Sequence, residues 1–244
     1  MTDLHCIIIP HYRHLEPLMA MLPRLSATGL PVYVVDDASG DDVVAALRAA
    51  LSCWPALTLL MRERNGGKGA AMLTGLRQAA SDGFTHALSM DADGQHAIDD
   101  IPRFLAHSRT APDAIITGKP LFGDDIPPSR LHGRKLTNGL VRLVSGQPIA
   151  DAMCGFRVYP IRCALDLCSH ISYRTRMEFD VEIIVRAAWR GIAIHSLPTR
   201  VVYPEGGASH FHLFRDNVRL VAMHTLLIVE GLARRLLARP RRRQ

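Results

Sequence analysis

The sequence predicts an α/β fold: a mostly parallel sheet with helices on both faces. Three observations predict it. Short apolar runs alternate with longer stretches of helical spacing through the first half of the chain. Two carboxylate clusters, Asp36-Asp37 and Asp91-Ala92-Asp93, each follow directly on one of those apolar runs. The chain has 244 residues, 48% hydrophobic and 21% charged, which is enough to bury one full core without disulfide or metal staples. A βαβα alternation favours parallel strands covered on both faces, and such sheets bind ligands at the carboxyl ends of their strands.

In order, Leu4–Ile9 reads as a strand ended by Pro10, and Leu15–Ala27 as a helix stopped at Gly29. Val32–Val35 is a second strand running into Asp36-Asp37. Asp41–Leu51 is a helix with acids in its first turn. Leu57–Met61, Thr85–Met90 and Ala114–Thr117 are further strands, separated by helices over Lys68–Ser81 and Ile98–Ser108. Leu121–Arg130, with Pro127-Pro128, reads as an exposed loop. Beyond it, helices are expected over Leu131–Ser145 and Glu178–Trp189, and a strand over Cys154–Tyr159. A pair of strands, Ile192–Leu197 and Arg200–Tyr203, is expected around Pro198. Pro204–Ser209 is a Gly-rich loop, and Leu213–Ala238 one long or broken helix. Residues 1–212 are thus expected to form the main domain, and residues 213–244 a helix with a basic tail.

The formal net charge is +6, but Arg234, Arg235, Arg239, Arg241, Arg242 and Arg243 account for all of it, leaving residues 1–233 neutral. That weighs against a nucleic-acid-binding body and leaves a basic tail suited to an anionic surface. Five cysteines, an odd count at irregular spacing, do not read as a disulfide framework or a zinc site. The first residues run straight into a strand without a basic-then-apolar leader, so no signal peptide is expected. No uncharged apolar run reaches the ~18 residues of a spanning helix. The expected location is the cytoplasm, peripheral at the inner face of the cell membrane.

Asp91-Ala92-Asp93-Gly94-Gln95-His96 carries the strongest chemical signal. Two carboxylates one residue apart at a strand end can share a hard divalent cation and leave positions open for phosphate oxygens. Arg64-Asn65-Gly66-Gly67-Lys68-Gly69 precedes a helix, where glycine N–H groups can approach an anion. It is not a Walker loop, since Arg62 and Gly69 stand where Gly and Ser or Thr are required, and no G-x-G-x-x-G follows the first strand.

These segments taken together are Pro10-x-Tyr12, Val34-Val35-Asp36-Asp37-Ala38-Ser39, Asn65-x-Gly67-Lys68-Gly69, Asp91-Ala92-Asp93-x-Gln95-His96 and Gly155-Phe156-Arg157. In this order the chain resembles family 2 glycosyltransferases of the GT-A fold, over about residues 4–215, and within them the polyprenyl-phosphate (dolichol-phosphate) mannose or glucose synthases. The resemblance implies an inverting enzyme. It would move a sugar from a UDP- or GDP-sugar to a lipid phosphate or lipid-like acceptor. It implies that Pro10, Tyr12, Asp36, Asp37, Lys68 and Asp91 surround the nucleotide sugar. Asp37, with Asp36 as its rival, would meet the base and ribose. Asp91, Asp93 and Gln95 would hold Mg²⁺ or Mn²⁺ against the diphosphate, and Arg157 would meet the acceptor phosphate. Phe179-x-x-Glu182 matches a further element of the branch. Two positions depart from the pattern: Arg13-His14 after Pro-x-Tyr, and Cys154 where the branch usually has Ser.

If the acceptor is a hydroxyl, a carboxylate must take its proton. Glu178, Asp180 and Glu182 are the candidates, with Asp180 or Glu182 expected to face the acceptor. Helical spacing sets Glu178 and Glu182 on one side and Asp180 opposite, with one side expected to be solvated. In Glu205–His212, which continues the Gly-rich loop, His210 or His212 is a candidate for contact with phosphate or metal. Residues His224–Ala238 combine leucines with bordering arginines and are expected to lie in a membrane interface; the competing reading is a core helix with a disordered arginine end. Two other readings stay open: a sugar nucleotidyltransferase, and a silent membrane-docking module with the same fold.

Overall fold

The structure, a computed structural model, describes residues 4–123, 126, 128–169, 176–202 and 213–237. The strands are β1 (His5–His11), β2 (Val32–Asp36), β3 (Leu57–Met61), β4 (His86–Ser89), β5 (Ile115–Phe122), β6 (Arg157–Pro160) and β7 (Ile194–Val201). The helices are α1 (Leu15–Ser26), α2 (Asp41–Leu51), α3 (Lys68–Ser81), α4 (Ile101–Thr110), α5 (Pro128–Ser145), α6 (Ile161–Ser169), α7 (Phe179–Trp189) and α8 (Leu213–Leu237). The strands form one sheet in the order β3-β2-β1-β4-β6-β5-β7. All neighbours are parallel except β6, which runs antiparallel to both β4 and β5.

Alternation along the strands divides the core in two. Ile7 and Ile9 of β1 join Val32, Val34 and Leu88 in a layer covered by α1 and α4, through Leu18, Leu22, Leu25, Phe104 and Leu105. Cys6 and Ile8 point the other way, against Met72 and Leu76 of α3 and the apolar residues of α6 and α7. Helix α3 lies very close to the sheet: a Cβ on Gly75 would come within 2.6 Å of Ile8 Cγ2. The chain winds outward from β1 to β3 and returns to β4 on β1's other side. The crevice between β1 and β4 is therefore the switch point at which ligands bind in such sheets.

Four expectations are corrected. Strand β1 runs through Pro10 to His11. Ile8 accepts from Met90 on the β4 side, so Pro10 turns its nitrogen the same way, past the last register pair Ile8↔Ser89, where no ladder bond is lost. Around Pro198 there is one strand, β7, and not a pair. It is an edge strand, and Ile115 donates to Ala193, so Pro198 faces the open side. The segment read as a loop from Leu121 holds the end of β5, and α5 begins at Pro128, a residue suited to a first helical turn. Helix α6 was not expected.

Candidate active site

The carboxyl ends of β1, β2 and β4 carry the predicted residues. At the end of β1, His11 Nδ1 lies 2.9 Å from Asp36 Oδ1 at the end of β2. Asp36 also accepts the Ser39 backbone N–H at 3.0 Å and the Ser39 hydroxyl at 2.5 Å. Burial alone would raise its pKa; the bonds from His11 and Ser39 outweigh that and lower it. Asp36 is thus enclosed and satisfied from within. Pro10 and Tyr12 flank His11, and the Arg13 guanidinium lies 5.3 Å from the Tyr12 ring centroid.

Asp37 organises the glycine loop. Its carboxylate accepts the N–H groups of Gly66 at 3.0 Å and Gly67 at 2.6 Å, and the Arg62 guanidinium at 2.5 Å. Its carbonyl accepts from Asn65 Nδ2 at 3.1 Å. The loop glycines were expected to approach a bound anion; the anion they hold here is Asp37 itself. Gly67 sits at φ +88, and a Cβ there would meet Arg176 Cα at 2.8 Å, so only glycine closes this turn into α3.

Lys68, the first residue of α3, is the centre of the site. Its ammonium lies 2.6 Å from Asp91 Oδ1, beyond the end of β4, and 2.5 Å from Asp180 Oδ2 on α7. Burial would lower the Lys68 pKa, but the two carboxylates raise it. For Asp91, burial would raise the pKa; Lys68 and His96 lower it far below the usual carboxylate range. His96 Nε2 is 3.4 Å from Asp91 Oδ2, and its ring stacks on Phe156 at 5.4 Å. Gly155 lies underneath, where a Cβ would fall 2.6 Å from Lys68 Nζ and against the Asp91 carboxylate. Asp93 sits two residues on, in a turn where its carboxylate accepts the Gln95 N–H at 3.0 Å. Burial and the Asp91 charge raise its pKa. The Gln95 carbonyl accepts from Val202, tying this turn to the end of β7.

The other predicted residues fall as follows. Arg157 is fully buried beneath the cluster. It donates to the Asp180 carbonyl at 2.7 Å, the Ala152 carbonyl at 2.8 Å, Tyr159 Oη at 3.1 Å and Thr117 Oγ1 at 3.2 Å. Glu178, Asp180 and Glu182 are all buried, so the expected solvated side of α7 is not there. Of the three, Asp180 reaches Lys68, whereas Glu182 pairs with Arg186 at 2.7 Å on the side of α8. Cys154 is buried, and burial, above all, pushes its thiol up to about 11. His210 and its loop lie outside the described residues. Sequence reading gave no role to Arg62, Ser39 or Gly155. The signal for Gly155 was present in the Gly-Phe-Arg motif; Arg62 had only its place after β3.

The donor set suits a hard divalent cation: Asp91 and Asp93 bring two carboxylates to one strand end. Among the described residues no group of three or more His, Cys, Asp or Glu side chains could hold a metal ion, so the two carboxylates would need further ligands from outside the chain.

Comparison with known proteins follows the same lines. The sequence profile of "Glycosyl transferase family 2" matches residues 6–163. The chain is 33% identical over 211 residues to undecaprenyl-phosphate mannosyltransferase of Micrococcus luteus, covering 83% of this chain and 85% of that one. It is 28% identical over 216 residues to polyprenol monophosphomannose synthase of Mycolicibacterium smegmatis, covering 85% and 81%. In fold it is similar to glucosyl-3-phosphoglycerate synthase of Mycobacterium tuberculosis, crystallised with Mn²⁺, UDP-glucose and phosphoglyceric acid. The TM-score is 0.66 at 14% identity, covering 94% of this chain and 80% of that one.

Proposed function

The chain belongs to glycosyl transferase family 2, and we propose that it transfers a sugar from a nucleotide-diphosphate sugar to a lipid phosphate of the polyprenyl type. One observation carries the choice of acceptor. Asp180, the only acid of α7 beside Lys68 among the described residues, is ion-paired with it at 2.5 Å. A carboxylate committed to an ammonium is a poor base for an acceptor hydroxyl. A phosphate acceptor is already anionic and needs none. The relatives named as undecaprenyl-phosphate and polyprenol transferases support the same choice.

Asp91 and Asp93, with Gln95 beside them, would hold Mg²⁺ or Mn²⁺, which when bound would supply positive charge for the departing diphosphate. Lys68, the first residue of α3, would add an ammonium at that place. Asp37 shapes the loop into which the nucleoside would fit, and His11 with Asp36 forms the wall beneath. Arg157 positions Asp180 through its carbonyl, and Asp180 positions Lys68. Attack by the lipid phosphate opposite the leaving diphosphate inverts the anomeric centre. His210 is the residue of the Gly-rich loop to test for contact with phosphate.

No described helix is long and apolar enough to cross a membrane. Helix α8 nevertheless turns an apolar side outward. Val218, Val221, Leu226, Val229, Leu232, Leu236 and Leu237 are each more than half exposed. Its inner side packs through Met223 and Leu227, and Gly231 lies against Val144 and Trp189. We read the outer side as the face that rests on an anionic membrane; Arg234, by contrast, pairs with Glu230 and lies over Trp189, and Arg235 donates to the Leu143 carbonyl, which leaves the surface charge to the arginines after them in the sequence. The reading as a whole is tested by thermal melts with UDP-, GDP- and dTDP-sugars, with and without Mn²⁺. At least one donor is expected to raise the melting temperature only with metal. No metal-dependent shift with any donor would contradict it.

A further inference from the structure

In this structure both carboxylate oxygens of Asp91 already have partners, one of them a cation. Lys68 Nζ stands 2.6 Å from one carboxylate oxygen, and His96 Nε2 stands 3.4 Å from the other. Lys68 cannot drift away on its own. Its side chain is only 10% exposed, and Asp180, 7% exposed, grips the same ammonium at 2.5 Å. Asp180 is fixed in turn by the buried Arg157 through its backbone carbonyl. Gly155 lies directly against both groups, where a Cβ would fall 2.6 Å from Lys68 Nζ and 3.0 Å from Asp91 Cγ. A divalent cation arriving alone must compete with a resident ammonium for Asp91, and it leaves that ammonium repelled in a confined space. A diphosphate arriving with the cation removes the conflict, because its oxygens give Lys68 a new anionic partner on the open side.

We propose that Lys68, anchored by Asp180, is the resident counter-ion of Asp91 and makes cation and nucleotide load together, so that the metal site is completed only as the diphosphate takes over the ammonium. This rests on the metal-dependent, diphosphate-binding reading given above. That reading already couples metal and nucleotide through the diphosphate they share; what is added is that the Lys68 side chain holds the nucleotide-free metal affinity down and so strengthens the coupling.

The test is Mn²⁺ binding, followed by the EPR signal of the free aqueous ion, with no sugar transfer involved. The wild-type chain is titrated alone and with saturating UDP or GDP. Coupling of about tenfold or more is expected, within the range that linked sites show. In Lys68→Met the nucleotide-free Mn²⁺ affinity is expected to rise by about tenfold, and the coupling to fall to about twofold or less. That variant leaves the buried Asp180 and the partly exposed Asp91 without their cation, which can cost the fold. The double variant Lys68→Met/Asp180→Asn removes the ammonium with its anchor and keeps the net charge of the cluster. It is expected to behave as Lys68→Met does, with circular dichroism and a cooperative melt showing that it folds. If wild-type chain binds Mn²⁺ without nucleotide as tightly as the folded variant does, the proposal is overturned and the metal reading stands. If no form binds Mn²⁺ even with nucleotide, the proposal falls together with the metal reading beneath it.

Discussion

Arg157 Nη1 donates to the backbone carbonyl of Asp180 at 2.7 Å, joining the first strand after the Gly-Phe motif to the first turn of α7. The arginine is completely buried, and the site it serves lies above it. In the function proposed above, it would act through Asp180 and Lys68 and not by touching substrate.

Arg157→Lys tests that link. Lysine keeps the charge but cannot span four acceptors held in a fork, so buried acceptors lose their partner. The expected loss is about 3 kcal/mol, a fall of roughly 10 °C in melting temperature. If Arg157 positions Lys68, kcat falls while the KM for the acceptor stays nearly unchanged. A large rise in acceptor KM with kcat intact would instead put the guanidinium on the acceptor phosphate.

Gly155→Ala places a methyl group against the Asp91 carboxylate and Lys68 Nζ. Overpacking of this kind costs about 1–3 kcal/mol in stability. A displacement near 1 Å at the reacting centre costs about 10²-fold in rate. Steady-state rates and a thermal melt on the same sample separate the two effects. A variant with wild-type turnover would remove Gly155 from the site.

His224 gives a pH dependence with a definite sign. It lies on the inner side of α8, and burial lowers its pKa from the ordinary histidine value of 6.5. The unfolded chain then binds a proton that the folded chain refuses, so stability is lost as the pH falls below the unfolded value of about 6.5. Melts between pH 7.5 and 5 are expected to show a decline that His224→Met flattens. An unchanged slope in that variant would assign the acid sensitivity to other groups.

The outward side of α8 is tested by Leu236→Asp/Leu237→Asp. These residues are 67% and 85% exposed, so the fold is expected to keep its melting temperature within about 1 °C. Co-sedimentation with anionic vesicles is expected to fall by about tenfold or more, since each change removes apolar area and adds like charge to the lipid. Equal binding by both forms would contradict a membrane role for this side of the helix.

The first half of the fold was legible because apolar runs alternate there with helices that each bury one side, and two of those runs lead into acids. Leu18, Leu22 and Leu25 of α1 are an example. The second half was less so. Strand β6 inserts antiparallel between β4 and β5, and nothing in Arg157–Pro160 announces its neighbours. Helix α6 offers only Ile161, Ala164 and Leu167 as a buried row, too short a period to stand out. In the site, motif order located Lys68, Asp91 and Asp93, but not their partners. Lys68 meets Asp180 across 112 residues of sequence, a pairing that depends on α7 lying against α3. The acids of α7 misled because helical spacing describes one helix in water, and α7 is enclosed on nearly all sides.

The central claim is sugar transfer to a lipid phosphate, and one assay addresses it directly. The chain is incubated with a radiolabelled nucleotide sugar that shifts its melting temperature, Mn²⁺ and a polyprenyl phosphate, and the label is partitioned into organic solvent. The account predicts lipid-borne label with inverted anomeric configuration, stoichiometric release of nucleoside diphosphate, and loss of both in Asp91→Asn. Label that stays in the aqueous phase while a sugar 1-phosphate and a nucleoside triphosphate yield pyrophosphate would contradict it.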